Sequence, residues 1–146
     1  MCEGATKGPD GLHDAELIFA GEVPFGPQYF NLRIDGRSFD SRIFGGGVLW
    51  SPDSKIVMLT EWHTSDRERG PITSLLLIRP DEWAYTRFPR LDKGLSSADY
   101  ILGNSLILRH SDKILTGGSY VVQRETDLAK IDDWKPLPAV DVTADA

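Results

Sequence analysis

The sequence predicts an all-β chain of antiparallel sheets with little helix. Short runs alternate apolar and polar residues with the period of two expected of half-buried strands. Turn formers (Gly, Pro, Asp, Asn, Ser) punctuate those runs at short, regular spacing. A helical pattern occurs only at 127–134, where Leu128 and Ile131 stand three apart behind a Thr126 or Asp127 cap; one short helical turn is expected there.

Taken in order, residues 1–14 hold turn formers and few large apolar side chains and read as a flexible lead-in. A single β domain is expected over 15–140, with 141–146 as a C-terminal tail of small and acidic residues. Strands are expected at 17–23, 29–34 and 38–44, the last two joined by an Asp35-Gly36 hairpin turn. After Gly45-Gly46-Gly47 come a strand at 48–50, a tight turn at Ser51-Pro52-Asp53-Ser54 and a strongly apolar strand at 55–62. A polar loop at 63–71 leads to a strand at 72–79, a Pro80-Asp81-Glu82 turn and a strand near 84–88. Beyond a small-residue connection at 93–99, strands are expected at 100–102, 105–109, 113–116 and 119–124. Their turns fall at Gly103-Asn104, at 110–112 and at Gly117-Gly118. Because alternate residues of a strand share a face, Val57, Leu59, Leu75 and Leu77 are expected on one buried face of the central sheet.

Composition narrows the functional classes. Acidic residues outnumber basic ones by 22 to 16, a net charge of −6 that disfavours binding to nucleic-acid phosphates and suits a basic protein partner. The apolar runs are strand-length, far short of the ~20 residues of a membrane helix, so no membrane span is expected. The lone Cys2 makes no internal disulfide. Cys2 reads first as an incidental thiol in a frayed terminus; Met1 directly before Cys2 and the polar residues 3–11 also fit a cut-back secreted or lipid-anchored precursor, and if the chain is one the periplasm is favoured, with the cytoplasm as the alternative.

The segment from Val48 to Leu59, reading VLWSPDSKIVML, resembles the W-S-P-D-G turn between the first two strands of WD40-like and TolB-like β-propeller blades. Pro52 presets the turn, Asp53 and Ser54 can bond back to the backbone, and Ser54 stands where those blades carry glycine. The likeness covers one blade, residues 47–88. A propeller needs at least four blades of about 40 residues, so 146 residues imply blade-like sheets in an incomplete propeller-like arrangement, with a β-sandwich as the alternative. In size, charge and architecture the chain is similar to small all-β immunity proteins of bacterial type VI secretion toxins, including those that block peptidoglycan amidases. That resemblance implies a non-catalytic toxin inhibitor whose loop plugs a partner's active site.

No residue pattern supports catalysis or a cofactor. His13, His63 and His110 are scattered without the spacing of zinc ligands, so no metal and no cofactor are expected. His110-Ser111-Asp112 reads as a hairpin turn, since consecutive residues cannot form a relay. Asp81-Glu82 and Asp132-Asp133 lie outside any calcium-loop pattern and read as solvated turn charges. Two segments fit a protein-binding surface: Ser65, Asp66, Arg67, Glu68 and Arg69 in the long polar loop, and Ser96, Ser97 and Asp99 in the small-residue connection. A small-molecule or glycan-binding domain using exposed Trp83 and Trp134 is the second reading.

Overall fold

The computed structural model describes residues 4–23, 28–39, 42–66, 68–69, 71–92, 94–113 and 119–137. The strands are β1 (Gly4–Lys7), β2 (Asp14–Glu22), β3 (Gln28–Ile34), β4 (Arg37–Ser38), β5 (Ile43–Phe44), β6 (Leu49–Trp50) and β7 (Val57–Trp62). There follow β8 (Ile72–Arg79), β9 (Ala84–Arg87), β10 (Leu91–Asp92), β11 (Gly94–Leu102), β12 (Ser105–Lys113), β13 (Ser119–Asp127), a 3-10 turn at Leu128–Lys130, and β14 (Lys135–Pro136). The larger sheet runs β1-β2-β3-β5-β7-β8-β9-β14, with β4, β6 and β10 as short side pairings, and the smaller is β11-β12-β13. The fold is therefore all-β and antiparallel; it is not closed into a barrel and is sandwich-like in layout.

Two apolar cores share one hairpin. On one face of the larger sheet, Leu17, Phe30, Leu32, Ile34, Phe39 and Phe44 gather with Val57, Leu59, Leu76 and Ile78. On the other, Met58, Leu75 and Leu77 meet Leu106, Leu108 and Leu128 from the smaller sheet and the 3-10 turn. Strands β7 and β8 are thus covered on both sides, which is why they read as near-continuous apolar runs, whereas β2 begins with a one-sided alternation. Each fully buried Leu or Ile contributes about 1.5–3 kcal/mol, so this hairpin is the best-anchored part of the chain.

The single-face expectation is corrected by the register. Val57 lies opposite Ile78 and Leu59 opposite Leu76, so Leu75 and Leu77 are buried on the opposite face, beside Met58. An unbroken apolar run carries no alternation to mark which parity faces which layer.

Turn chemistry accounts for the connections. Asp35 and Gly36 both have positive φ, 49° and 82°, the signature of a two-residue hairpin turn. At residues 51–54 the turn joins β6 to β7, and Ser54 occupies the left-handed position with φ 64°. Ser54 is buried and its Oγ accepts the Asp10 N–H at 2.8 Å, a bond that glycine could not make. Gly8 packs against the same turn: a Cβ there would stand 3.2 Å from the Trp50 ring.

Four expectations change. The lead-in supplies β1, paired with β2 from Gly4 opposite Leu17, because a backbone ladder needs no apolar side chains. The strand expected at 38–44 appears as β4 and β5, with the Arg42 N–H bonded to the Phe39 carbonyl between them; residues 40–41 lie outside the described residues. The turn expected at 110–112 is interior to β12, where His110 pairs with both Ser96 and Val122; the strand expected at 113–116, beyond Lys113, and the turn expected at Gly117-Gly118 lie outside the described residues. The flexible connection at 93–99 is mostly strand β11. Its start is pinned to the larger sheet: Thr73 Oγ1 donates to the Gly94 carbonyl and accepts from the Ser96 N–H, and Thr60 Oγ1 donates to the Ser96 carbonyl. The helical turn at 128–130 forms as expected, with the Asp127 carboxylate accepting the Ala129 N–H.

Candidate functional site

The β7–β8 hairpin has a candidate site at each end. At its loop end, Ser65, Asp66, Glu68 and Arg69 are all exposed, and Arg67 lies outside the described residues. Short side-chain-to-backbone bonds shape the loop: Thr64 Oγ1 accepts the Asp66 N–H at 3.1 Å and Asp66 Oδ1 accepts the Glu68 N–H at 2.9 Å. The His63 N–H closes the loop on the Ile72 carbonyl.

Beneath this loop lies a buried ionic cluster. Glu61, 3% exposed, accepts from Arg42 on one carboxylate oxygen and from Arg87 Nε at 2.7 Å on the other. Two guanidinium groups on one buried carboxylate satisfy it from both sides, which is what makes a charge tolerable there. Arg87 also lies over the Tyr85 ring at 5.4 Å. Next to the cluster, His63 Nε2 is 2.7 Å from Ser74 Oγ. Burial lowers the His63 pKa; Glu61 opposes this, while Arg87, Arg90 and Arg42 reinforce it. The neutral form of the ring is therefore favoured, and its tautomer sets which of His63 Nε2 and Ser74 Oγ donates.

The second segment of the expected partner surface does not form a loop. Ser96 is fully buried and Ser97 half-buried on β11, and Asp99 is exposed at a bulge, accepting from Gln123 at 3.0 Å. The start of β11 does adjoin the long loop, since the Gly94 N–H bonds the Pro71 carbonyl.

At the opposite end, the turns at 51–55, 79–82 and 103–104 surround a cleft of about 560 Å³ with the 3-10 turn. Buried Ile56 and Leu128 form its apolar lining, and Asp53, Lys55, Arg79, Asp81 and Glu82 its charged one. Ser51 Oγ donates to Asp53 at 2.6 Å, and with the Lys55 N–H it holds the Asp53 carboxyl below its usual range against the opposing effect of burial. Arg79 pairs with Glu82 at 3.3 Å and lies over the Trp134 ring at 4.2 Å.

The two tryptophans expected to be exposed are half-buried. Trp83 packs edge-on against Phe39 with Arg37 over its ring at 4.5 Å, and Trp134 is packed on the second core beneath Arg79. An arginine thus lies over each indole, where a sugar would need to stack.

Sequence reasoning missed Arg42, Glu61 and Arg87, which come from three separate elements. The available signal was Glu61 itself, a carboxylate set between Thr60 and Trp62 in an otherwise apolar strand. The cleft was missed because its walls come from turns far apart in the chain. No family model matches the chain, and neither curated proteins nor solved structures gave a match. Among the described residues no helix is long and apolar enough to cross a membrane.

Proposed function

We propose that this protein is a non-catalytic binding protein that inhibits a partner protein through its 63–71 loop. The observation that carries this reading is the loop's placement: exposed polar residues Ser65, Asp66, Glu68 and Arg69 at the tip of a hairpin buried on both faces. A loop held on such a base enters a partner's cleft without rearranging the scaffold, so less ordering entropy opposes binding. The resemblance in size, charge and all-β architecture makes the partner a secreted bacterial toxin of the type VI kind, such as a peptidoglycan amidase. The protein would then act as an immunity protein in the periplasm. The test replaces residues 64–69 with a glycine-serine linker and measures binding to the toxin encoded beside the gene. An unchanged melting temperature with binding lost supports the reading. A parent protein that binds no neighbouring gene product, or a linker variant that binds as tightly as the parent, defeats it.

The cleft favours a second reading, a small-ligand-binding domain. Its volume lies within the roughly 300–1,000 Å³ range of ligand sites, and an apolar lining beside groups of both charges suits a small zwitterion. Amide shifts at Gly103, Asn104 and Ala129 on titration with free amino acids would support it; unchanged shifts across all twenty would exclude that ligand class.

A further inference from the structure

Among the described residues no backbone ladder joins the two ends of the larger sheet. Where β2 and β3 approach the β8–β9 turn, the contacts are made by side chains: Phe39 against Trp83, Arg37 over Trp83, and above all His13. His13 Nδ1 is 2.6 Å from Asp35 Oδ2, and His13 Nε2 is 2.6 Å from Asp81 Oδ1. A neutral imidazole has one N–H and one lone pair, so it can donate to only one of these carboxylates and would set its lone pair against the other. Both contacts are attractive only for the imidazolium ion, which donates from each nitrogen and places its charge between two anions.

We propose that the His13 bridge is a pH-sensitive clasp on this seam, closed while the ring carries both protons and released when it loses one. The two contacts are not equivalent. Asp35 is fixed to the same hairpin as His13, its Oδ1 accepting the Asp14 N–H at 2.9 Å and its own N–H bonded to the Asp14 carbonyl. Asp81 belongs to the other side of the seam and has Lys55 at 3.9 Å as an alternative partner. Deprotonation sends one ring proton to solvent, leaves the remaining N–H with Asp35 and breaks the contact to Asp81. Because Asp81 and Lys55 both line the cleft, release also alters that wall.

Other charges adjoin the bridge: on the far side of the seam Glu82 follows Asp81 and pairs with Arg79 at 3.3 Å. Asp10, on the same turn as His13, bonds the Leu12 N–H, and Asp14 adjoins Asp35 through its backbone. Arg37, beyond Asp35, is engaged with Trp83. Partial burial by itself would lower the His13 pKa, but the hydrogen bonds and charges of Asp35 and Asp81 outweigh it and raise the pKa above the ordinary histidine value.

The experiment follows the His13 ring nitrogens by NMR from about pH 6 to 9.5 alongside amide exchange at the seam, corrected for base catalysis. The clasp predicts a His13 midpoint above the ordinary value of about 6.5, with both nitrogens protonated below it. It also predicts that exchange at the Asp10 and Leu137 amides accelerates through that same midpoint while the Met58 and Leu76 amides do not change. Asp81→Asn should lower the midpoint and bring fast seam exchange down to pH 7. A His13 midpoint at or below the ordinary value, or seam exchange indifferent to the His13 titration, overturns the proposal. Both can be read on the parent protein even if the variant fails to fold.

Discussion

The β7–β8 hairpin and the seam beside it belong to one sheet but are held by different chemistry. The hairpin has a continuous backbone ladder from Val57–Ile78 to Trp62–Thr73 and apolar cover on both faces. The seam has an imidazole between two carboxylates, a few aromatic contacts and the Asp10–Ser54 bond. Apolar burial is indifferent to pH, whereas the imidazole bridge is not. The molecule thus combines a firm base for its exposed loop with an edge whose cohesion depends on solution conditions.

Substitutions at the hairpin should be the costliest. Glu61→Ala removes the carboxylate shared by Arg42 and Arg87 and should cost about 3–5 kcal/mol by urea denaturation, because the buried Arg42 and the half-buried Arg87 each lose an ion pair. Leu76→Ala and Leu77→Ala should each cost about 2–5 kcal/mol, since they lie in different cores and both are buried. If only one of the pair is costly, the hairpin is covered on one face and the contrast with the seam fails.

At the seam, Ser54→Ala should cost about 1 kcal/mol, the worth of the bond from the Asp10 N–H, while leaving β7–β8 untouched. A cost as large as that of the leucines would make the turn part of the main core. Replacing 64–69 with a flexible linker should change stability least, within about 0.5 kcal/mol, because Ser65, Asp66, Glu68 and Arg69 are exposed.

The two histidines sharpen the contrast through the sign of their pH dependence. His13 has a raised pKa, so its stabilisation is fully present below the unfolded value of about 6.5 and is lost as pH rises through the higher folded value. His63 has a lowered pKa: the unfolded chain takes up its proton first, and stability is lost as pH falls from about 6.5 through the lower folded value. His13→Gln should therefore flatten the alkaline side of the stability profile and His63→Gln the acidic side. The reverse assignment, read from denaturation midpoints across pH, would refute the environments described for both rings.

What was legible in the sequence was local. Asp35-Gly36, the 51–54 turn, Gly103-Asn104 and the Asp127 cap are set by the backbone preferences of a few adjacent residues, and they stand where the residues place them. The exposed polar loop at 63–71 was legible for the same reason. Register was not. The opposite faces of Leu59 and Leu75 and the pairing of His110 within β12 depend on how distant strands align. Ser96 was misread because a small polar residue suits a mobile loop and a tight sheet contact equally well, and Thr60 and Thr73 decide between them. The bridge from His13 to Asp81 spans 68 residues and carries no local signature.

Native-state hydrogen exchange in rising urea tests the contrast between hairpin and seam most directly. The Met58 and Leu76 amides should exchange only through global unfolding, with a strong urea dependence. The Asp10 amide, bonded to Ser54 across the seam, and the Leu137 amide, bonded to Trp83 where the β9–β14 ladder borders it, should exchange through a smaller opening of lower free energy and weak urea dependence. A single common free energy and urea dependence for all four amides would show that the seam is as firmly held as the hairpin and would contradict the account.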